Sequence, residues 1–328
     1  MRLGVTLRNL GRLPASEMRE YLLGSARTAE EVGLYSAWVS DHLVAPEGAR
    51  SKYPYHREGK WELSGGVAMW DSLTVLAGIA TATSTLRFGI SCLVLPLRHP
   101  ILSAKMLATL DCLSEGRLIV AVGVGWLQEE MEVLGAPTYE RRGSLGDEYI
   151  EIFKTLWTDD EPSYDGEWWS VGGYEFLPKP VQQPHPPIWV AGTSGPALRR
   201  VIRHGDGWHA VALTPDGIRE KVARIRELAA GAGRDLDGFD ISTTHTVIVD
   251  MDATGAGEAE IVPRESGMPV LEGNPEQLAR AIKRYGDAGI NHFTAYYLMK
   301  DETLPIVERS TRAIEIVGRE VAPALESL

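Results

Sequence analysis

An eightfold alternation of short apolar runs with longer amphipathic ones most restricts what this chain can fold into. Arg2–Leu7 reads as a strand, and residues 16–32 carry apolar side chains at helical spacing up to Gly33, making one βα unit. The unit recurs, with strands predicted at 36–40, 86–95, 118–122, 187–191, 207–213, 240–249 and 292–298. Helices are predicted near 69–83, 101–113, 127–158, 195–205, 215–232, 274–287 and 302–325. Eight short, mostly apolar strands, each followed by helix, suit a closed parallel sheet sheathed in helices: class α/β, a (β/α)8 TIM barrel. The alternative, a doubly wound sheet, is usually built from fewer repeats. It also wants its glycine-rich fingerprint directly after the first strand, where Arg8-Asn9-Leu10-Gly11 stands instead.

No linker, low-complexity tract or internal sequence repeat divides the 328 residues, so residues 1–328 are expected to form a single barrel domain. Three irregular stretches interrupt the alternation. They are the Pro-, Gly- and Tyr-rich segment 41–66, the segment 159–187 with its hairpin signal YDGEWWSVGGYEF, and the Gly- and acid-rich segment 250–273. Barrel enzymes insert lids at such positions, and a plain surface loop is the competing reading for 250–273.

Charge and composition exclude several functions. A net charge of −12 opposes a sequence-independent nucleic-acid surface, which would need clustered Lys and Arg. No apolar run approaches the roughly 20 residues that cross a bilayer, and the N-terminus MRLGVTLRNL lacks a signal-peptide pattern, so a cytoplasmic protein is expected. The two cysteines, Cys92 and Cys112, form no CxxC, and the eight histidines form no HExxH pair, so nothing points to a metal site.

In a barrel of this kind the residues following each strand face the site. After the fifth strand, Gly192, Thr193, Ser194 and Gly195 precede a helix whose free amides and dipole favour an anion, so this turn is a candidate phosphate cradle. Capping of an ordinary helix explains the same residues equally well. His42, at the end of the second strand, is the candidate acid–base group because imidazole titrates near neutrality; Asp41 would orient it or cap. His209, after the sixth strand, is the second choice. Gly123-Val124-Gly125 looks like the start of a dinucleotide loop, but Trp126 follows, no third glycine stands at the required spacing, and the strand is the fourth.

Five segments together resemble a known family: AEEVGLYSAWVSDH, RFGISCLVLPLRHP, GRLIVAVGVGWLQEE, FLPKPVQQPHPPIWVAG and GDGWHAV, spread over residues 29–211 in order. They resemble the luciferase-like monooxygenase superfamily, and within it the branch of coenzyme F420-dependent oxidoreductases. The resemblance implies a barrel that binds a flavin or deazaflavin at the carboxyl ends of its strands. It implies a non-prolyl cis peptide at Ser91-Cys92 against the cofactor ring, a phosphate loop at Gly192 to Gly195, and a functional histidine at His42. Gly123 and Gly125 would let the end of strand four pass beneath the ring. The sugar-phosphate dehydrogenases of this branch carry a glutamate where Trp126 stands, so their substrate does not carry over.

The leading expectation is therefore hydride transfer between coenzyme F420 and an unidentified small organic substrate, with His42 as general acid or base. Tyr53, Tyr55, Trp61 and Trp126 would make an apolar substrate wall, and Trp168 is a weaker member of it. The first alternative is a monooxygenase using reduced FMN from a separate reductase; the second is a non-catalytic flavin-binding protein. The resemblance also implies a homodimer.

Overall fold

The computed structural model describes residues 1–56, 58–61, 66–255, 257–263 and 269–328. The portions of the two expected lid segments at 57, 62–65, 256 and 264–268 lie outside the described residues. Eight parallel strands form the centre: β1 Arg2–Leu7, β2 Ser36–Val39, β3 Arg87–Val94, β4 Leu118–Gly123, β5 Ile188–Ala191, β6 Gly207–Val211, β7 Asp240–Val249 and β8 His292–Met299. They pair in chain order, and β8 returns to β1 through Arg2 opposite His292, so the sheet closes into a barrel. The outer ring includes α1 Ala15–Glu31, α2 Ser72–Ala82, α3 Pro100–Leu113, α4 Gln128–Val133, α5 Arg142–Thr158, α6 Gly195–His204, α7 Pro215–Ala232, α8 Pro275–Asp287 and α9 Ile306–Ile316. The doubly wound alternative is thereby excluded.

Two packed layers hold this arrangement. Outward-facing strand residues such as Val5, Val39, Phe88, Val120, Val190 and Phe293 join the helices in one continuous apolar cluster. The interior is filled separately: Trp38 and Trp189 stack with centroids 5.2 Å apart, beside Ile119 and Ala121. Two glycines across the barrel make room for them, because a Cβ on Gly89 would lie 2.5 Å from the Trp38 ring and one on Gly207 would lie 2.5 Å from that of Trp189. Some polar groups of this floor are paired: Trp38 Nε1 donates to Ser36 Oγ (2.8 Å), and Ser36 Oγ meets His292 Nε2 at 2.7 Å.

Within the segment 250–273, for which a lid and a plain surface loop are the two readings, part of the chain is strand. Its Pro269–Gly273 pairs in parallel with residues 246–249 of β7, and Glu260–Pro263 pairs antiparallel with that added strand. The cause lies in the neighbouring strand: β6 pairs with β7 only as far as Thr244, so the upper edge of β7 needs another partner for its backbone groups. The expected hairpin in 159–187 is present, with Tyr164 opposite Val171 and Asp165 opposite Ser170.

Candidate active site

The carboxyl end of β2 is fixed from two sides. Asn9 donates from Nδ2 to Ser40 O (2.9 Å) and accepts from Ser40 N at Oδ1 (3.0 Å). Asp41, with a fully buried side chain, accepts from both terminal nitrogens of Arg98 (2.8 Å each), from Val94 N at the end of β3 (2.9 Å) and from Ser72 Oγ at the start of α2 (2.7 Å). Both carboxylate oxygens are thus taken by protein donors. Asp41 is a brace between β2, β3 and α2.

His42 follows on the open side. Its Nδ1 lies 2.7 Å from Oε2 of Glu130, a buried residue on α4, while Oε1 of the same carboxylate accepts from the amides of Leu43 (2.7 Å) and Val44 (3.2 Å). Sequence reasoning missed Glu130; a second carboxylate spaced four residues past Trp126, one turn into a helix, was the available signal. Its neighbour Glu129 accepts from the amides of Arg50 (2.6 Å) and Ser51 (3.1 Å) further along the same loop. Burial opposes the Glu129 charge, but hydrogen bonds from the Ser51 side chain and from the Arg50 and Ser51 amides outweigh it and hold the carboxyl at about 2.

The four expected wall aromatics do come together around His42. Trp61 lies 5.1 Å and Trp126 6.0 Å from its ring, Trp61 meets Trp126 edge-on at 5.4 Å, and Tyr53 sits 5.1 Å from Trp126. Tyr55 packs edge-on against Tyr53 at 5.5 Å. Burial pushes both phenols upward, Tyr53 to about 12, so both are neutral donors at ordinary pH. Trp126 is anchored by its carbonyl, which accepts from Tyr139 Oη at 3.0 Å. Trp168 lies instead on the 164–171 hairpin, with the Arg141 guanidinium 4.9 Å above its ring.

At β3 the peptide Ser91-Cys92 is cis, and the pairing with β4 shifts register between Ile90 and Leu93. Ser91 Oγ meets His209 Nε2 at 2.7 Å, and His209 Nδ1 meets Ser242 Oγ at 2.7 Å. His209 has no exposed surface and stacks 5.7 Å from Trp38, and burial pushes its pKa down to about 4. With both nitrogens engaged it supports Ser91 from beneath, so neither a cofactor contact nor the reserve acid–base role applies. The Cys92 thiol is likewise pushed up to about 12 by burial, reinforced by the Asp41 charge. It occupies the space beside Gly123, whose Cβ would come 2.4 Å from Sγ. Gly125 has φ +76°, and a Cβ there would strike Met131 at 2.2 Å. Protein packing alone thus requires glycine at both positions.

The turn after β5 is open. Gly192 has φ +109°, Thr193, Ser194 and Gly195 are exposed, and Ser194 caps α6 by accepting from Ala197 N at 3.3 Å. The capping reading therefore holds, with Ala197 N taken by the Ser194 side chain and Leu198 N by the Ser194 carbonyl, while Pro196 carries no N–H. Arg199, a residue sequence reasoning passed over, brings Nη1 to 3.5 Å from the Cβ position of Gly195 and adds positive charge at the same end.

Comparison with known proteins bears on the same features. Residues 1–261 match the family model described as luciferase-like monooxygenase. The chain is similar to the F420-dependent glucose-6-phosphate dehydrogenase of Nocardia farcinica, at 27% identity with 94% of each chain covered. It is also similar to the FMNH2-dependent dimethylsulfone monooxygenase of Pseudomonas putida, at 33% identity over 50% of this chain and 45% of that one. The solved structure of monooxygenase RslO1 from Streptomyces bottropensis shares the fold, with a TM-score of 0.76, 20% identity and coverage of 98% and 99% of the two chains. Among the described residues no helix is long and apolar enough to cross a membrane. The family model spans residues 1–261, and so most of the strands of the barrel: the chain belongs to the luciferase-like monooxygenase family.

Proposed function

We propose that this protein is an oxidoreductase that transfers a hydride between coenzyme F420 and a small organic substrate, with His42 giving or taking the accompanying proton. The observation that carries the reading is the meeting of His42 with Tyr53, Tyr55, Trp61 and Trp126 at the carboxyl ends of the strands. One ionisable ring inside an aromatic wall can handle a proton with little competing water. The similarity over 94% of both chains to an F420-dependent dehydrogenase supports the choice of cofactor.

The residues fit such a cofactor. Thr193, Ser194 and Gly195, with Arg199 beside them, would hold a phosphate at the exposed start of α6, and the Ser91-Cys92 end of β3 would lie against the ring. When bound, the deazaflavin supplies a two-electron hydride carrier that reacts poorly with oxygen. Asp41 and Arg98 keep the ends of β2 and β3 in fixed relation, so that the chain entering His42 does not shift against the strand that carries Ser91 and Cys92. The aromatic wall excludes water and orients a flat, apolar substrate face.

A second reading, monooxygenation with reduced FMN from a separate reductase, is favoured by the 33% identity to the dimethylsulfone monooxygenase. It uses the same cradle and the same histidine. Titration of the protein with oxidised and reduced F420 and FMN, followed by tryptophan fluorescence, separates the two. Saturable quenching by F420 is expected, since Trp61 and Trp126 line the site. Tight binding of reduced FMN with no response to F420 would overturn the F420 assignment.

A further inference from the structure

The carboxylate of Glu130 has two oxygens with different duties. Oε2 faces Nδ1 of His42 at 2.7 Å, and Oε1 faces the amides of Leu43 and Val44 at 2.7 and 3.2 Å. An ionised carboxylate only accepts, so the hydrogen between it and His42 belongs to Nδ1. In the neutral ring the proton then cannot sit on Nε2, whose lone pair is free; among the described residues Nε2 has no hydrogen-bond partner. Which ring nitrogen carries the proton is set by the partner of the other, the logic by which a buried carboxylate holds an imidazole in serine hydrolases.

We propose that Glu130 is a positioning residue: it fixes His42 in the Nδ1–H tautomer, presents Nε2 to the barrel mouth as a proton acceptor, and ties this state to the chain at Leu43 and Val44 that leads toward Tyr53, Tyr55 and Trp61. The tie follows from the shared carboxylate. Leu43 and Val44 begin that stretch, and Glu129 and Gln128 on the same helix turn secure it again at Arg50 and Ser51, just ahead of the aromatics, the latter by its amide donating to Ser51 Oγ at 3.1 Å. If the loop start leaves Oε1, the carboxylate becomes free to rotate and His42 loses its fixed orientation. The catalytic consequence rests on the function proposed above; the state of the ring does not.

Glu130→Gln tests the assignment because its amide is not symmetrical. The two backbone N–H groups keep the carbonyl oxygen, so the NH2 turns to His42 and donates to Nδ1, which drives the ring proton to Nε2. The experiment is 15N NMR of the full chain with labelled histidine, with His42 identified among the eight histidines by the signal lost in His42→Ala. Nδ1–H in the parent and Nε2–H in Glu130→Gln are expected. Turnover should fall about 10- to 100-fold while cofactor affinity stays within about twofold, as for loss of acid–base function. An Nε2–H parent ring, the same tautomer in both proteins, or a switched tautomer with undiminished turnover overturns the proposal. Should Glu130→Gln fail to fold, the parent tautomer alone decides. Because the ring is read without cofactor, binding of FMN in place of F420 would sink the proposed cofactor and leave this result standing.

Discussion

Removing one partner from a buried ion pair is far more damaging than replacing both, because the survivor keeps its charge without its solvent. Asp41 and Arg98 meet this condition, with side chains 0% and 9% exposed and two parallel hydrogen bonds of 2.8 Å. Burial works against the Arg98 charge, yet Asp41 and Asp71 raise its pKa above the ordinary guanidinium value. Arg98→Ala should therefore cost about 3 to 5 kcal/mol of unfolding free energy, the usual range for a broken buried pair. Urea unfolding monitored by tryptophan fluorescence measures this, and a loss below about 1 kcal/mol would show that Asp41 finds water or another donor. Asp41 was visible in the sequence as a polar residue at a strand end, but its duty was not. Arg98 stands 57 positions away, and no local pattern joins them.

At the scale of elements, α4 is only six residues long and earns its place through its N-terminal turn. Glu129 closes the loop at Arg50 and Ser51, and its carboxyl is held at about 2 against an ordinary 4.5. A depressed carboxylate contributes stability that is complete above the unfolded value and fades as pH falls through the folded one. The clamp is thus whole above about pH 4.5 and is lost as the pH drops toward 2. Because Arg50 and Lys52 are exposed, trypsin reads the clamp at neutral pH: Glu129→Ala should be cut there several-fold faster than the parent, and equal rates would refute the clamp. The βα units themselves were legible, since strands such as Leu118–Gly123 are continuous apolar runs followed by helical periodicity. His42 and the aromatic wall were legible from their place after a strand. The strand Pro269–Gly273 was not, because so short a run among glycines and acids takes its order from the free edge of β7. The Glu130 contact was hidden for the same reason as Arg98, since it spans 88 positions.

Across the whole molecule, several histidines are sealed in the barrel wall and floor as neutral rings. Burial takes His209 to about 4 and His245 to about 3, and drives His292 well below the ordinary 6.5, with the Arg2, His209 and Arg87 charges adding to the effect. All three folded values lie below the unfolded one, so the stability linked to them is present above about pH 6.5 and is lost as acid protonates the unfolded chain first. Each such ring adds a slope of about 1.4 kcal/mol per pH unit once the pH is well below 6.5 and above its own folded value. The barrel should accordingly lose stability steeply between pH 6.5 and 4, mostly before the Glu129 clamp is lost between about 4.5 and its folded value of about 2. Thermal unfolding from pH 7.5 to 4.5 checks this; a Tm that stays flat across that span would mean the rings are wet or charged in the folded protein. His209→Gln keeps an amide between Ser91 and Ser242 without a titrating ring. It should lower the slope by about one proton while leaving the His245 and His292 contributions in place.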